Sequence, residues 1–213
     1  MMQRGKLFVP LVALFILATL MLPGCGGRSL QTENTDDLCE LFRRQRGWYP
    51  AAAAARHRWG ISIPIMMSII RQESHFAAEA KPPRTRCLWV FPGPRPSSAY
   101  GYAQAGDAAW EDYKKWTGRG GADRDDFEDA VDFVGWYCHM SHIRCGIAKS
   151  DAYRLYLAYH EGHGGYNRRT YAGKTWLQNV AAKVARQAQG YAAQLAVCEP
   201  ALEKRRPCCL WPF

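Results

Sequence analysis

Apolar residues recur at helical spacing along most of the chain. Leu38, Leu41 and Phe42 share one side of a short pattern opened by Asp36-Asp37 and running to about Arg46. Pro50 opens an alanine-rich helix that ends near Gly60, since proline suits a first helical turn and glycine the residue past the last. Ser62 is placed to cap a third helix carrying Ile63, Met66, Ile69 and Ile70. Acidic residues gather ahead of a fourth, Asp123 to about Arg144, stopped by Gly146. Asp151 opens a fifth. The last runs from about Thr175 to Cys198 on Leu177, Val180, Val184, Tyr191 and Leu195. Between Lys81 and Ser98 the periodicity fails: Pro82, Pro83, Pro92, Pro94 and Pro96 require a loop. No stretch alternates as a long strand does. The pattern predicts a mostly α domain with a long proline-rich loop after its third helix.

The first residues follow a different logic. Arg4 and Lys6 precede an uncharged stretch from Leu7 to Leu22, which runs into Pro23-Gly24-Cys25. A basic start, an apolar run and small residues before a cut site form an export signal. The run is shorter than the roughly 20 residues a spanning helix needs, and Pro10 interrupts it. Leu22 to Cys25 resembles a bacterial lipobox, which implies lipidation of Cys25 and a membrane anchor. Gly26 stands where an aspartate would mark inner-membrane retention, so the resemblance implies an outer membrane lipoprotein facing the periplasm. The expected organisation is a signal peptide over 1–24, a tether over 25–35, the helical domain over 36–198, and a basic, flexible tail over 199–213.

Composition narrows the partners. The chain has 213 residues, 48% of them apolar, enough for one domain with a real core. Without the signal, 26 basic residues face 19 acidic ones. A basic exported protein meets cell wall and anionic headgroups, not nucleic acid. Seven cysteines follow Cys25: Cys39, Cys87, Cys138, Cys145, Cys198, Cys208 and Cys209. An oxidising compartment permits disulfides, but spacing does not give their connectivity.

Glu73 is the candidate for chemistry. Met66, Ile70 and Glu73 fall at i, i+4 and i+7, which sets a carboxylate on an apolar helix face near the helix C-terminus. Desolvation and the macrodipole both disfavour its charge, as a general acid near neutral pH requires. The competing reading pairs Glu73 with a neighbouring arginine on an exposed face.

Three stretches in order bear on that choice. Arg71 to Phe76 reads RQESHF, Gly101 to Gln104 reads GYAQ, and Ala158 to Tyr166 reads AYHEGHGGY. Together they resemble the motifs of lytic transglycosylases with a goose-lysozyme-like fold: Glu-Ser-x-Phe, Ser…Gly-Leu-Met-Gln, and Ala-Tyr-Asn-Ala-Gly. Glu73, Ser74 and Phe76 match the first. Ser97 or Ser98, Ala99, Gly101 and Gln104 match the second, with Tyr102 and Ala103 in place of Leu and Met. Ala158, Tyr159 and Gly162 match the third, with His160 and Glu161 replacing Asn and Ala. The resemblance covers about residues 47–195.

It implies a lysozyme-like helical fold and a peptidoglycan substrate, cut between N-acetylmuramic acid and N-acetylglucosamine by one acid/base, Glu73. No cofactor and no metal are implied, and the protein is expected to act as a monomer. Ser74, Ser98, Gly101, Tyr102, Gln104, Tyr159 and Glu161 are the implied substrate contacts, Tyr159 also orienting the acid or the N-acetyl group. The long loop departs from the family pattern, with Trp89 and Phe91 available to line the groove. Gly101 as a turn residue and Tyr159 as core packing remain structural alternatives.

Further readings compete. Glu161 in place of a neutral residue admits a hydrolytic muramidase, with Glu161 as the base that activates water. A wall-binding lipoprotein without catalysis is another. His160-Glu161-Gly162-His163 places its histidines three apart, not the four of a helical zinc site. Cys138, His142 and Cys145 share a helix face, but three ligands are one short of a structural zinc site. Cys138 and Cys145 would lie about 10 Å apart along a helix, too far for a mutual disulfide. Buried core cysteines, or partners for Cys87 or Cys198, fit better.

Overall fold

The computed structural model describes residues 35–84 and 94–204, with the backbone of 86–87 and 91–92 between them. The signal peptide, Cys25, nearly all of the tether, Trp89, the Phe91 side chain and the residues after Lys204 lie outside the described residues.

Seven helices are described: α1 Leu38–Arg44, α2 Trp48–Trp59, α3 Ile63–Ser74, α4 Asp107–Thr117, α5 Phe127–Cys145, α6 Ala152–Asn167 and α7 Thr175–Glu203. Their ends follow from the local sequence. Asp37, Asp126 and Asp151 accept from the N–H groups of Glu40, Asp129 and Arg154, capping α1, α5 and α6. Gly60, Gly118 and Gly146 close α2, α4 and α5 in the left-handed conformation.

Helix α3 is the centre of the domain. Met66, Met67, Ile69 and Ile70 have no exposed surface, so its middle turns are buried on every side. It packs on α5 and α7, while α2 crosses α5 closely. Gly135 permits that crossing, because an added Cβ would lie 2.6 Å from the Trp59 ring. Beside it Asp132 is buried but fully engaged: Trp59 Nε1 donates at 2.7 Å, Tyr113 Oη at 2.7 Å and Arg58 at 3.1 Å.

A disulfide joins Cys39 of α1 to Cys198 of α7 across 159 residues of sequence. The expected use of Cys198 as a partner for Cys138 or Cys145 is therefore corrected. Cys138 is a buried free thiol, which burial pushes up to about 12, and Cys145 is free and half-buried.

Three elements differ from the expectations. Helix α4 was not legible: it is largely polar, buries only Trp110 and Tyr113, and has no side-chain cap of its own at Gly106. Its first N–H group is met from nine residues away, where Ser98 Oγ accepts from Asp107 N at 3.0 Å. The proline-rich loop holds a small antiparallel pair, Arg86–Cys87 against Phe91–Pro92. Pro92 fits there because both strands of a two-stranded ladder are edges. Helix α7 does not stop at Cys198 but continues through Pro200 to Glu203. Contacts near its end hold that last turn: Glu199 pairs with Arg56 at 2.6 Å and accepts from Tyr49, and Leu202 is buried.

Candidate active site

Glu73 sits in the last turn of α3, where the buried helix reaches partial exposure. Burial raises its carboxyl to about 7, against a smaller lowering effect from the nearby Tyr156 hydroxyl. The desolvation comes from burial of the whole helix, not from one apolar stripe. Among the described residues no arginine or lysine pairs with Glu73. Arg71, the neighbour that could have neutralised it, instead engages Asp36, Thr35 and Gln187. A carboxyl in this state holds its proton near neutral pH and can release it to a base.

The backbone after Glu73 is fixed in an unusual conformation. His75 and Phe76 both have positive φ, 51° and 62°. Non-glycine residues adopt this at a cost of about 1–2 kcal/mol each. Burial of Phe76 against Trp48 holds the turn, with ring centroids 5.6 Å apart. The chain thus leaves the acid at a set angle.

Two tyrosines of α6 face Glu73. Tyr156 is buried, with its hydroxyl close enough to the carboxyl to favour the charged form. Tyr159 lies close enough for the Glu73 charge to raise its phenol further, after burial has already done so. The Tyr159 hydroxyl donates to Ala103 O at 2.6 Å, which ties the third motif to the second. Tyr156, three residues before Tyr159, was missed by the sequence reading; the i, i+3 spacing on one helix face was the available signal.

The second motif is a tightly built turn. Gly101 has φ +78°, and an added Cβ would lie 2.0 Å from Arg124 O. Tyr102 N donates to that same carbonyl at 3.1 Å. Gln104 Nε2 donates to Ala80 O and Gly101 O at 2.8 and 2.9 Å, leaving its Oε1 as the amide's remaining polar atom. Tyr102 is buried, with its ring edge-on to the stacked pair of Trp48 and Phe127. Ser98 is exposed and serves α4 as described. Arg124, which sequence did not single out, clamps the turn through Ser98 O and Ala105 O.

Ser74 and Glu161 stand apart from this group. Ser74 is buried and its hydroxyl donates back to Ile70 O at 3.2 Å. Glu161 lies with Lys174 at 2.8 Å, Thr170 and His160. Burial works to raise its carboxyl, but hydrogen bonds from Lys174, Thr170 and His160 overcome that and hold it at about 2. Gly162 follows with φ 72° and ψ 157°, a conformation open essentially to glycine alone, and breaks α6 there.

Among the described residues no three His, Cys, Asp or Glu side chains are grouped to hold a metal. His142 Nδ1 donates to Ile147 O instead, and Cys145 donates to His163 O. A cavity of about 670 Å3 opens beside Ser62, Lys149 and Ala188. It lies at the start of α3, about 12 Å along the helix from the acid.

A helical domain built around one apolar helix, with a proton-holding carboxyl in its last turn, is a lysozyme-like domain. The chain belongs to the family described as the transglycosylase SLT domain, whose model matches residues 13–198. Membership makes it a peptidoglycan-acting protein of the lytic transglycosylase type. No curated protein matches the chain.

Proposed function

We propose that the protein cleaves the β-1,4 bond between N-acetylmuramic acid and N-acetylglucosamine without water, with Glu73 as the single acid and base. The observation that carries this reading is the Glu73 carboxyl, buried at the end of α3 and raised to about 7, with the Tyr156 hydroxyl beside it. Protonated Glu73 gives its proton to the leaving oxygen as the sugar gains oxocarbenium character. The substrate's own N-acetyl oxygen shields that charge. Ionised Glu73 then takes the proton of the muramic C6 hydroxyl, whose oxygen closes onto C1 to form the 1,6-anhydro ring. Tyr156 steadies the carboxylate between the two transfers, and Tyr159 fixes the neighbouring Ala103 turn.

The state of Glu161 favours this over hydrolysis. A carboxylate held at about 2 and paired with Lys174 is a weak base for activating water.

The same reading makes residues 1–24 a lipoprotein signal and Cys25 the lipid-bearing end of a monomer on the periplasmic face of the outer membrane. The Cys39–Cys198 disulfide supports an oxidising compartment.

Digestion of purified peptidoglycan, with products weighed by mass spectrometry, tests the reaction. Anhydro products that disappear with Glu73→Gln are the expected result. Products heavier by one water would overturn it in favour of a muramidase, and glycan binding without cleavage would leave a wall-binding protein.

A further inference from the structure

A second cavity, of about 510 Å3, opens where α6 ends and the chain turns into α7. Arg154, Tyr166, Asn167, Arg169, Tyr171 and Ala172 line it. Tyr166 and Tyr171 form one wall, their rings stacked at 5.3 Å and 27°. Two guanidinium groups complete it. Arg154 is 65% exposed, and its ion pair among the described residues is a 3.6 Å contact with Asp151, whose carboxylate already caps α6. Arg169 is exposed and makes no ion pair among the described residues.

The loop carrying Arg169 and Tyr171 is built, not draped. Arg169 N donates to Tyr166 O at 2.8 Å, Thr170 N to Gly165 O at 3.1 Å and Ala172 N to Arg169 O at 2.9 Å. Gln178 Nε2 donates to Tyr171 O and Ala172 O. From beneath, Glu161 takes the Thr170 hydroxyl and the Lys174 ammonium. This framework keeps Arg169 at φ 58°. A non-glycine residue persists there only where its surroundings over-determine it, and such residues gather at binding sites. The ion pair in the third motif therefore supports a loop whose outward side chains are cationic and aromatic.

We propose that this pocket is a binding site for an acidic peptide, namely the carboxylate-bearing stem peptide of peptidoglycan. The proposal rests on the reading above that peptidoglycan is the substrate. Guanidinium groups meet carboxylates through paired, charge-assisted hydrogen bonds. The tyrosine faces and Ala172 offer apolar contact to short aliphatic side chains between those carboxylates. An uncharged glycan would leave both cations unanswered, and a phosphate would make no use of the aromatic wall.

Calorimetric titration of the purified protein tests this, with two probes: the free tetrapeptide released from peptidoglycan by an amidase, and inorganic phosphate. The tetrapeptide is expected to bind and phosphate to bind at least about 10-fold more weakly. Arg154→Gln with Arg169→Gln is expected to weaken the tetrapeptide about 10-fold or more, and the corresponding lysine pair by less, because charge survives without the fork. Arg169→Gly supplies a variant suited to the backbone at that position. It is expected to fold as the parent does and still lose affinity. Unchanged tetrapeptide affinity in the glutamine or glycine variants, or phosphate binding as tight as the peptide's, would overturn the proposal. The titration is read without turnover. Tetrapeptide binding by a protein that cleaves no glycan would therefore sink the catalytic reading alone, and cleavage without tetrapeptide binding would sink the pocket alone.

Discussion

The Tyr156 hydroxyl lies beside the Glu73 carboxyl where α6 meets the end of α3, and it favours the carboxylate. That influence opposes the larger effect of burial, so the acid is poised near neutrality and not locked in its protonated form. Two residues 83 positions apart in sequence thereby set one proton affinity between them.

Replacing Glu73 with Gln is expected to stabilise the protein at alkaline pH. The folded carboxyl titrates at about 7 against an ordinary value of 4.5. The folded state therefore holds a proton the unfolded chain has released, and stability falls as pH rises from about 4.5 through 7. The glutamine variant escapes that loss. At pH 8 it should gain up to about 3 kcal/mol over the parent, and at pH 4 almost nothing. Thermal melts at the two values check the difference; equal shifts at both would show that Glu73 is not desolvated.

Tyr156→Phe removes the one named group that lowers the Glu73 carboxyl. Its titration should move upward by about one unit. The alkaline limb of peptidoglycan cleavage, followed across pH 5 to 9, should move with it, since the protonated acid would then persist to higher pH. A limb that stays in place would place the controlling proton on another group.

Gly101→Ala should cost about 3 kcal/mol or more, because it combines a left-handed backbone with a Cβ 2.0 Å from Arg124 O. Denaturant unfolding measures this. A cost below about 1 kcal/mol would mean that the turn yields easily and is not a fixed part of the site.

Lys174→Met leaves the Glu161 carboxylate, only 4% exposed, without its cation. Breaking a buried pair in this way costs about 3–5 kcal/mol, and exposure of Lys174 at 41% places this one at or below the lower figure. The pair's contribution is present above about pH 4.5 and is lost as pH falls through about 2. The gap between parent and variant in thermal melts should therefore narrow from pH 6 towards pH 2. A constant gap would assign the loss to packing.

Much of the helical scaffold was legible because burial writes a period into it. The helices expected from Ser62, Asp151 and Thr175 form there, although the Ser62 side chain makes no capping bond, and the one expected from Asp123 begins at Phe127 behind an Asp126 cap. Helix α4 carries only two buried side chains and borrows its cap from Ser98, so neither signal was local. The end of α7 was placed too early, at Cys198, because the contacts of Glu199 and Leu202 that carry the helix on to Glu203 come from distant sequence. In the candidate site, the placement of Glu73 among apolar residues left it open between a buried acid and a salt-bridged surface residue, and the motifs around it tipped the choice. Tyr156 was not legible, because its partner lies on another helix. The roles of Arg124 and Lys174 were hidden likewise, since each binds a group that only the fold brings near.

The Cys39–Cys198 bond also decides how the domain bears mechanical load. A pull applied through the segment before α1 enters the fold at Cys39 and passes by a covalent link straight into the longest helix. Without that link the seven-residue α1 would peel off first, held by Leu38, Leu41, Phe42 and a few polar contacts. With it, the leading and trailing parts of the domain leave from one place. A pull on the segment before α1 is then carried into α7 and does not strip the short helix from the fold.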